Sequence, residues 1–352
     1  MKRAPKKNAP SSSVDLLALA DYVEQFSSKT IVLLGDFVAD EYQFGDISRV
    51  SREAPVLILR HRETHFAPGG GANAANNFAA LGTRVFPVSA VGDDAAGEAL
   101  IDYFRSRHVD VSGVLRVKGW TTPTKTRILA GWAHTIGQQV VRVDREPRLP
   151  IHETVHKALQ AKLRTKMRSA HALAVSDYGF GVVAPPLVRQ VISQQKRTLP
   201  VTLDARHSLH DYAKAGITSA TPNEAEMEAL HHVSIGPNLA ELKRVGAATL
   251  ADMKLRALLV TRGRDGMALF EPGDRLTQIS VYGSDQAVDV TGAGDTVLAV
   301  YTTALACGAS PLEAAHIANI AGGLVVMKRG TATVSREELL GAIRRQAGGS
   351  ST

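Results

Sequence analysis

The stretch Asp289-Val-Thr-Gly-Ala-Gly-Asp295 is followed at once by the apolar run Thr296-Val-Leu-Ala-Val300. The run is typical of a buried helix, so Gly292, Ala293 and Gly294 are predicted to stand at a helix N-terminus. Backbone N–H groups and the helix dipole attract an anion there, and small side chains let the anion approach closely. A carboxylate in such a turn can also act only as a helix cap, and the spacing alone leaves both interpretations open.

Asp295 is the candidate catalytic residue of this motif. An anion held by the preceding N–H groups would place Asp295 where it can take the proton of an attacking hydroxyl. An oxyanion hole beside a general base is what phosphoryl transfer to an alcohol requires. The sequence contains no Gly-x-x-x-x-Gly-Lys-Ser/Thr, which excludes a P-loop enzyme.

Short apolar runs alternate with helix-length segments over the rest of the chain. This rhythm predicts an α/β fold with a mostly parallel sheet and helices on both faces. The insertions 42–60 and 110–145 interrupt it with exposed strands of antiparallel character, predicted to form a small β-sheet lid over the site. The predicted strands are 31–34, 85–91, 172–175, 200–203 and 257–260, and the predicted helices are 14–26, 95–107, 294–306, 311–328 and 335–345.

Ligands of open α/β sheets bind beyond the carboxyl ends of the strands, where two polar motifs stand. Asp36 ends the first strand, and Gly69-Gly-Gly-Ala-Asn73 opens a helix. Asn73 offers a donor and an acceptor, so the two side chains could grip one sugar. A tight turn with a helix cap is the alternative. Gly69–Ala74 also fits a dinucleotide pattern, but it stands well after the turn of the first strand.

Two further motifs suit a nucleotide and its metal. In Thr221-Pro-Asn-Glu-Ala-Glu226, Asn223 and Glu226 lie on one helix face, which suits a hydrated Mg²⁺, although an exposed helix start explains them as well. In Val260-Thr-Arg-Gly-Arg-Asp-Gly266, the glycines permit a tight turn beside a nucleotide or an ordinary hairpin.

Composition narrows the class of protein. The chain has 352 residues, 44% of them hydrophobic, which is ample for one large core. The net charge of +7 owes much to a predicted disordered basic tail, 1–13, ahead of one main domain at 14–345. Aromatic content of 5% argues against nucleic acid as a partner. One cysteine, Cys307, no secretory signal and no long apolar run predict a cytoplasmic protein without a membrane span.

From Ile31 to Ser335 the motifs together resemble the PfkB (ribokinase-like) carbohydrate kinases. The two signatures are Gly69-Gly-Gly-Ala-Asn-Ala-Ala75, with Gly82 and Gly92 at the family spacing, and Asp289–Asp295. Within the family, the chain most resembles the D-glycero-β-D-manno-heptose-7-phosphate kinases, the kinase part of the bifunctional heptose enzyme. The stretches that carry this likeness are 48–56, 138–144, 176–178 and 328–335, together with Val290.

The resemblance implies an ATP-dependent kinase that phosphorylates O1 of the heptose 7-phosphate to give the 1,7-bisphosphate, a precursor of ADP-heptose and the lipopolysaccharide core. It implies Asp295 as the base, with an anion hole at Gly292, Ala293 and Gly294. The sugar would contact Asp36, Gly69, Gly70, Asn73, Arg127, Asp177 and Arg206. The nucleotide would contact Asn223, Thr261, Gly263, Gly266, Asp289 and Asn319. Asn223 and Glu226 would hold Mg²⁺, a monovalent cation could take part, and the lid would mediate a homodimer.

Two positions depart from the heptose-kinase pattern. Phe180 stands where those kinases have Lys, and Asp204-Ala-Arg206 stands where they have Asp-Pro-Lys. Arg206 can still bind a phosphate, with different geometry, whereas Phe180 cannot. A kinase of another sugar or sugar phosphate therefore stays open, and so does a non-catalytic sugar- or nucleotide-binding regulator. The sequence lacks the His-x-Gly-His motif of the fused nucleotidyltransferase, which predicts the kinase activity alone.

Overall fold

The computed structural model describes residues 15–131, 138–207, 209–284 and 286–349. The predicted basic tail, 1–13, lies outside these ranges. No helix in the described ranges has the length and apolar character that a membrane span requires. The α-helices are α1 (Leu16–Glu24), α2 (Gly71–Ala80), α3 (Ala95–Arg105), α4 (Glu153–Lys166), α5 (Pro185–Ser193), α6 (Glu224–His231), α7 (Leu239–Asp252), α8 (Ala293–Ala306), α9 (Pro311–Val325) and α10 (Arg336–Gly349).

The strands form two separate sheets. The large sheet has the order β13-β12-β11-β10-β9-β8-β1-β4-β5, and the small sheet has the order β3-β2-β6-β7. The strands are β1 (Thr30–Gly35), β2 (Phe37–Val50), β3 (Leu57–Gly70), β4 (Arg84–Gly92), β5 (Val114–Val117), β6 (Thr124–Gly131), β7 (Gln138–Arg145), β8 (Ala172–Asp177), β9 (Val201–Ala205), β10 (Ser219–Ala220), β11 (Ala257–Thr261), β12 (Met267–Glu271) and β13 (Arg275–Ile279).

The large sheet is parallel from β11 to β5, and the two strands beyond β11, β12 and β13, add in antiparallel at one side of the sheet. Both of its faces are covered. Along β1, Ile31 and Leu33 face the core under α1, α2, α3, α8, α9 and α10, whereas Val32 and Leu34 face the core under α4, α5, α6 and α7. An uninterrupted apolar strand is what a sheet buried on both faces needs. The predicted mostly parallel α/β fold is confirmed.

The small sheet differs in detail from the predicted lid. Its first strands extend beyond 42–60, because β2 begins directly after Asp36 and β3 continues to Gly70. Within 110–145, β6 and β7 belong to the small sheet, but β5 pairs in parallel with β4 at the edge of the large sheet. The predicted antiparallel character holds for the β2–β3 and β6–β7 pairs, whereas β6 pairs in parallel with β2. Four residues are too short a run for alternation to reveal which sheet they join.

Close backbone contacts bring the carboxyl ends of β1, β3 and β8 together. The Asp36 N–H donates to Ser176 O at 3.0 Å, and the Gly71 N–H donates to Asp36 O at 2.8 Å. Gly70 has a φ of +55°, and a Cβ there would lie 2.8 Å from Val38 Cγ2. Only glycine fits this turn, which sets the start of α2 against the end of β1.

Candidate active site

A cleft of about 750 Å³ opens at the carboxyl ends of the large sheet, and the small sheet supplies part of its wall. This is the place where ligands bind in open parallel sheets. The predicted site residues on its wall are Gly69, Gly70, Arg127, Asp177, Arg206, Asn223, Glu226, Thr261, Gly263, Gly266, Gly292, Ala293, Gly294, Asp295 and Asn319. Asp36, Asn73 and Asp289 are not on the wall.

Asp295 lies in the first turn of α8, after Gly292, whose φ of +78° starts the helix. The side chain is 3% exposed. Its Oδ2 accepts a hydrogen bond from Asn73 Nδ2 at 2.8 Å, and its Oδ1 accepts one from the Tyr178 hydroxyl at 3.1 Å. Burial raises the pKa of Asp295 to about 7, against the lowering effect of both hydrogen bonds. A carboxyl poised near neutral pH beside a helix N-terminus can act as a general base.

Asn73 is fully buried behind Asp295, and a chain of hydrogen bonds sets its orientation. The Thr296 hydroxyl donates to Asn77 Oδ1 at 2.8 Å, and Asn77 Nδ2 donates to Asn73 O at 3.0 Å and to Asn73 Oδ1 at 3.4 Å. The Asn73 amide nitrogen is thereby directed at the base. A Cβ on Gly292 would lie 2.5 Å from that nitrogen, so the helix start must be glycine. The predicted contact of Asn73 with the sugar stays a prediction.

Asp36 is also fully buried, and its carboxylate organises the loop after β8. Its Oδ2 accepts hydrogen bonds from the Tyr178 and Phe180 N–H groups at 2.9 and 3.0 Å, and its Oδ1 accepts one from the Val182 N–H at 3.0 Å. Burial and the charge of Asp177 raise the pKa of Asp36 to about 6, while the backbone hydrogen bonds oppose that rise. Asp36 therefore positions Tyr178, and its predicted contact with the sugar stays a prediction.

Asp40, four residues further along the chain than Asp36, does line the cleft wall. It is 3% exposed and accepts a hydrogen bond from Arg127 Nη1 at 2.6 Å. Gly69 lies so close that a Cβ there would be 2.8 Å from Asp40 Oδ2. A fixed carboxylate beside two glycines suits the hydroxyls of a sugar.

Two cations lie over the ring of Tyr178. Lys125 Nζ is 5.8 Å and Arg206 Cζ is 5.1 Å from the ring centroid. Burial, followed by the charge of Arg206, lowers the pKa of Lys125. Neither cation forms an ion pair within the described ranges. Two such cations without a carboxylate partner in the described ranges have the charge that suits a phosphate.

On the other side of the cleft, Asn223 and Glu226 cap α6 reciprocally. Asn223 Oδ1 accepts the Glu226 N–H at 2.8 Å, and Glu226 Oε2 accepts the Asn223 N–H at 2.9 Å. The Thr261 N–H donates to Pro222 O at 3.0 Å, which ties this turn to the end of β11. The helix cap considered as an alternative is therefore present, and both side chains also line the cleft.

Asp204 and Glu226 both line the cleft beside this cap. Burial raises the pKa of both groups, and the charge of Glu226 adds to the rise at Asp204. Such a pair fits a hydrated Mg²⁺, which takes one or two carboxylates and is otherwise held by substrate phosphates. No group of three or more His, Cys, Asp or Glu side chains suited to a metal ion occurs in the described ranges. The nucleotide would thus have to supply further ligands.

Asp289 lies apart from the wall and holds two loops together. Its Oδ1 accepts the Thr291 N–H and its Oδ2 accepts the Gly330 N–H, both at 2.9 Å. Burial acts to raise the pKa of Asp289, but the hydrogen bonds outweigh it and the pKa is lowered. Its predicted role at the nucleotide stays a prediction.

A buried base at a helix N-terminus, faced by paired carboxylates and unpaired cations, is an arrangement for phosphoryl transfer. The family model described as pfkB family carbohydrate kinase matches residues 29–338. The chain belongs to this family. The two signatures at Gly69–Ala75 and Asp289–Asp295 are therefore those of a carbohydrate kinase, which confirms the predicted enzyme class.

The bifunctional protein HldE of several bacteria is similar to this kinase. The protein of Geobacter metallireducens is 40% identical over 314 residues, which cover 89% of this chain and 62% of that protein. The protein of Geobacter sulfurreducens is 40% identical over 319 residues, with 90% and 63% covered. The protein of Mesorhizobium japonicum is 35% identical over 346 residues, with 97% and 67% covered. The kinase thus spans about two thirds of the length of these relatives.

Solved structures share the fold of the kinase. Ribokinase of Arabidopsis thaliana, complexed with ribose and ATP, superposes with a TM-score of 0.69 at 21% identity, covering 90% of this chain and 99% of that one. Phosphofructokinase-2 of Escherichia coli, in complex with potassium, gives a TM-score of 0.72 at 20% identity, covering 90% and 98%. The predicted ribokinase-like fold is confirmed.

Sequence reasoning missed several polar residues of this kinase's site. Tyr178 and Asp204 each follow or end a buried strand, so the rule that singled out Asp36 could have found them. Asp40 follows the apolar residues Phe37–Ala39, and a carboxylate at that position is the sequence signal that could have identified it as a site residue. Asn77 and Thr296 gave no signal, because their roles rest on contacts between segments 219 residues apart.

Tyr178→Phe tests whether Tyr178 positions and tunes Asp295. Burial and the charge of Asp295 raise the pKa of Tyr178 well above its usual value, so the hydroxyl stays protonated and donates. Its loss removes a hydrogen bond that favours the charged base, so the pKa of Asp295 should rise. We expect the acidic limb of kcat/KM, near pH 7 in the wild type, to move up by about one pH unit.

The matched control for this prediction is Tyr103→Phe, which removes the hydrogen bond from Tyr103 to Asn76 Oδ1 on α2. That variant should keep the wild-type pH profile. An unchanged acidic limb in Tyr178→Phe would show that the hydroxyl does not tune the base.

Proposed function

We propose that the kinase transfers the γ-phosphoryl group of ATP to O1 of D-glycero-β-D-manno-heptose 7-phosphate, as a step toward ADP-heptose and the lipopolysaccharide core. The observation that carries this proposal is Asp295, buried at the start of α8 with both carboxylate oxygens held by donors. Family membership and the sequence resemblance to heptose-7-phosphate kinases support the same reaction. The whole activity of the longer HldE relatives is not proposed for this chain.

The proposed reaction uses the two sides of the cleft. The O1 hydroxyl of the acceptor gives its proton to Asp295 as its oxygen bonds to the γ-phosphorus, and the bond from that phosphorus to the β-phosphate oxygen breaks. The N–H groups at Gly292, Ala293 and Gly294 stabilise charge on the transferred group. Mg²⁺, held near Asp204 and Glu226 with Asn223 beside them, would neutralise charge on the ATP phosphates.

The unpaired cations favour an acceptor that carries its own phosphate. Lys125 and Arg206 share the face of Tyr178, and the charge of Arg206 helps to lower the pKa of Lys125. A phosphate dianion between them would relieve this repulsion and add charge-assisted hydrogen bonds. Asp40, Gly69 and Gly70 would then contact the sugar between the phosphate and Asp295.

A substrate panel tests the reaction. ADP release would be measured with Mg²⁺-ATP and heptose 7-phosphate, unphosphorylated heptose, fructose 6-phosphate or ribose, and ³¹P NMR would identify the new phosphate ester. We expect the highest kcat/KM with heptose 7-phosphate and a signal from an anomeric phosphate. No turnover of the heptose phosphate, with fast turnover of another sugar, would overturn the proposal.

Lys125→Gln tests the phosphate contact. The variant keeps a polar side chain that is one atom shorter but loses its charge, so we expect KM for the phosphorylated acceptor to rise about 10- to 100-fold. KM for ATP should change little. Lys157→Gln on α4, which removes an exposed lysine paired with Glu153, is the control and should match the wild type. An equal rise of both KM values would place Lys125 elsewhere in the mechanism.

A kinase of another sugar phosphate is the second candidate, and Phe180 is the observation that favours it. Its N–H donates to Asp36, and it is not among the described residues that line the cleft. The cation that heptose kinases carry at this position is therefore missing. The same substrate panel separates the two candidates.

We further propose that residues 14–345 form the catalytic unit, with the small sheet as its lid, and that two copies associate through that sheet. Val140, Val141 and Val143 on β7 are each at least 45% exposed, an apolar strand surface that a second copy could cover. Analytical ultracentrifugation is the test. We also propose that Thr261, Gly263, Gly266, Asp289 and Asn319 contact ATP, with a monovalent cation taking part. The cytoplasm would supply both substrates.

A further inference from the structure

A second cavity, of about 470 Å³, lies at the amino ends of the strands of the large sheet. The connections that precede β8 and β9 form it, whereas the active site is at the carboxyl ends of these strands. The six residues of β8 separate the two by about 20 Å. We refer to this cavity as the basic pocket, and its charged residues are Arg164, Arg168, Lys196 and Arg197.

The basic pocket has no nearby negative charge in the sequence. No acidic residue occurs between Glu153 and Asp177, or between Asp177 and Asp204. Lys166, which lies in the same segment but is not on the pocket wall, pairs with Asp110 at 2.6 Å. Within the described ranges, the side chain of none of the four pocket cations forms an ion pair or a hydrogen bond. The pocket is therefore a concentrated positive charge without internal compensation.

A favourable interaction with a helix dipole explains only one of these four cations. Arg164 lies in the last turn of α4, where a cation favours the helix dipole. Arg168 lies in the 3₁₀ turn Met167–Ser169 after α4, and its positive charge repels that of Arg164 on the same pocket wall. Lys196 and Arg197 are adjacent in the connection after α5 and add to the repulsion. The isolated chain thus carries an unfavourable cluster that a bound anion would stabilise.

The remaining wall suits a small organic ligand. Met167 and Leu199 are buried apolar residues on the wall, and Gln194 and Gln195 offer amide donors and acceptors. The volume falls in the range of small-molecule sites. No aromatic side chain lines the pocket in the described ranges, so a stacking platform for single-stranded nucleic acid is missing there.

We propose that the basic pocket binds a small phosphorylated metabolite with at least two phosphate groups. Four cations match the charge of two phosphates, each near −1.5 to −2 at neutral pH. A nucleoside polyphosphate and a sugar bisphosphate share this chemistry. Binding there is separate from catalysis in the cleft, since the two sites lie at opposite ends of the strands.

Methionine methyl NMR tests the proposal with one reporter in each site. Met167 lines the basic pocket and Met267 lines the cleft. Pyrophosphate, ATP and fructose 1,6-bisphosphate would each be titrated into ¹³C-methyl-methionine protein at about 0.15 M salt, where exposed charges are strongly screened. We expect the Met167 signal to shift and saturate with pyrophosphate. Tighter binding of ATP would identify the ligand as a nucleoside polyphosphate, and tighter binding of fructose 1,6-bisphosphate would identify it as a sugar bisphosphate.

The variant Arg168→Gln/Arg197→Gln should weaken the Met167 response at least tenfold while leaving the Met267 response to ATP unchanged. Without ligand, its thermal midpoint should equal or exceed that of the wild type, since repulsion is removed. Arg52→Gln/Arg60→Gln, which removes two exposed arginines at the β2–β3 turn and in β3, should match the wild type in every measurement.

Three results would overturn the proposal. The first is no Met167 shift up to about 10 mM pyrophosphate, which would leave less than about 3 kcal/mol of binding free energy. The second is an equal response to sulfate at the same ionic strength, which would show charge screening only. The third is tighter binding of a single-stranded oligonucleotide than of every small phosphate, which would make the pocket part of a nucleic-acid surface.

Discussion

Asp295→Asn is expected to lower kcat by a factor on the order of 10²–10⁴, with further loss from misplacement of the acceptor, while ATP binding is kept. The amide is isosteric with the carboxylate but cannot take the proton of the sugar hydroxyl. The nucleotide side of the cleft, at Thr261 and Gly266, does not touch this residue. Single-turnover kinetics and ATP titration calorimetry measure the two effects separately.

The same variant gives a stability result of defined sign. Burial raises the pKa of Asp295 from its usual value to about 7. The contribution of this group to stability is therefore fully present at low pH and is lost as the pH rises through about 7. The melting temperature of Asp295→Asn relative to the wild type should accordingly increase between pH 5 and pH 8. Near-normal turnover in the variant, or a difference in melting temperature that does not change with pH, would refute the role of Asp295 as a buried general base.

Asp36→Asn is expected to lower the free energy of unfolding by about 2–4 kcal/mol and kcat by on the order of 10². The carboxylate accepts backbone N–H groups on both oxygens, and an amide can accept on only one. Its NH₂ group would face N–H donors of the loop that carries Tyr178. Urea unfolding and steady-state kinetics measure the two quantities.

The control for this prediction is Asp102→Asn on the exposed face of α3, which should leave both quantities unchanged. An Asp36→Asn variant with wild-type stability, but with a higher KM for the sugar alone, would contradict the positioning role. It would support the direct sugar contact that the sequence predicts.

The strands and glycine turns of this kinase could be predicted because local sequence determines them. Ile31–Leu34 and Ala172–Val175 are apolar throughout and are buried on both faces, as a central parallel strand requires. The turn before α8 follows from Gly292 and the apolar residues after it. The ordinary hairpin that the Val260–Gly266 turn permits is present, since β11 and β12 pair in antiparallel, but local rules do not predict β12 and β13 themselves, because runs of five residues are too short for periodicity to identify.

The polar contacts of the site could not be predicted because they join distant segments. The Asn73–Asp295 hydrogen bond spans 222 residues and the Tyr178–Asp295 bond spans 117. Whether Asp36 or Asp40 faces the cleft depends on where the chain passes from the large sheet to the small one. Both carboxylates lie in the segment that connects the two sheets. Only the three-dimensional path shows that Asp36 faces inward and Asp40 faces the cleft.

The continuity of β2 and β3 with the site has a mechanical consequence. No linker separates the small sheet from Asp36 at one end and from Gly70 at the other. Each strand has 14 residues and spans about 46 Å if fully extended. A rigid tilt of about 10° at the end of the small sheet near Asp36 and Gly70 would displace its far end by about 8 Å. A shift of less than 1 Å near Asp36 and Gly70 would therefore displace the far end of the small sheet by an amount that a distance probe can resolve.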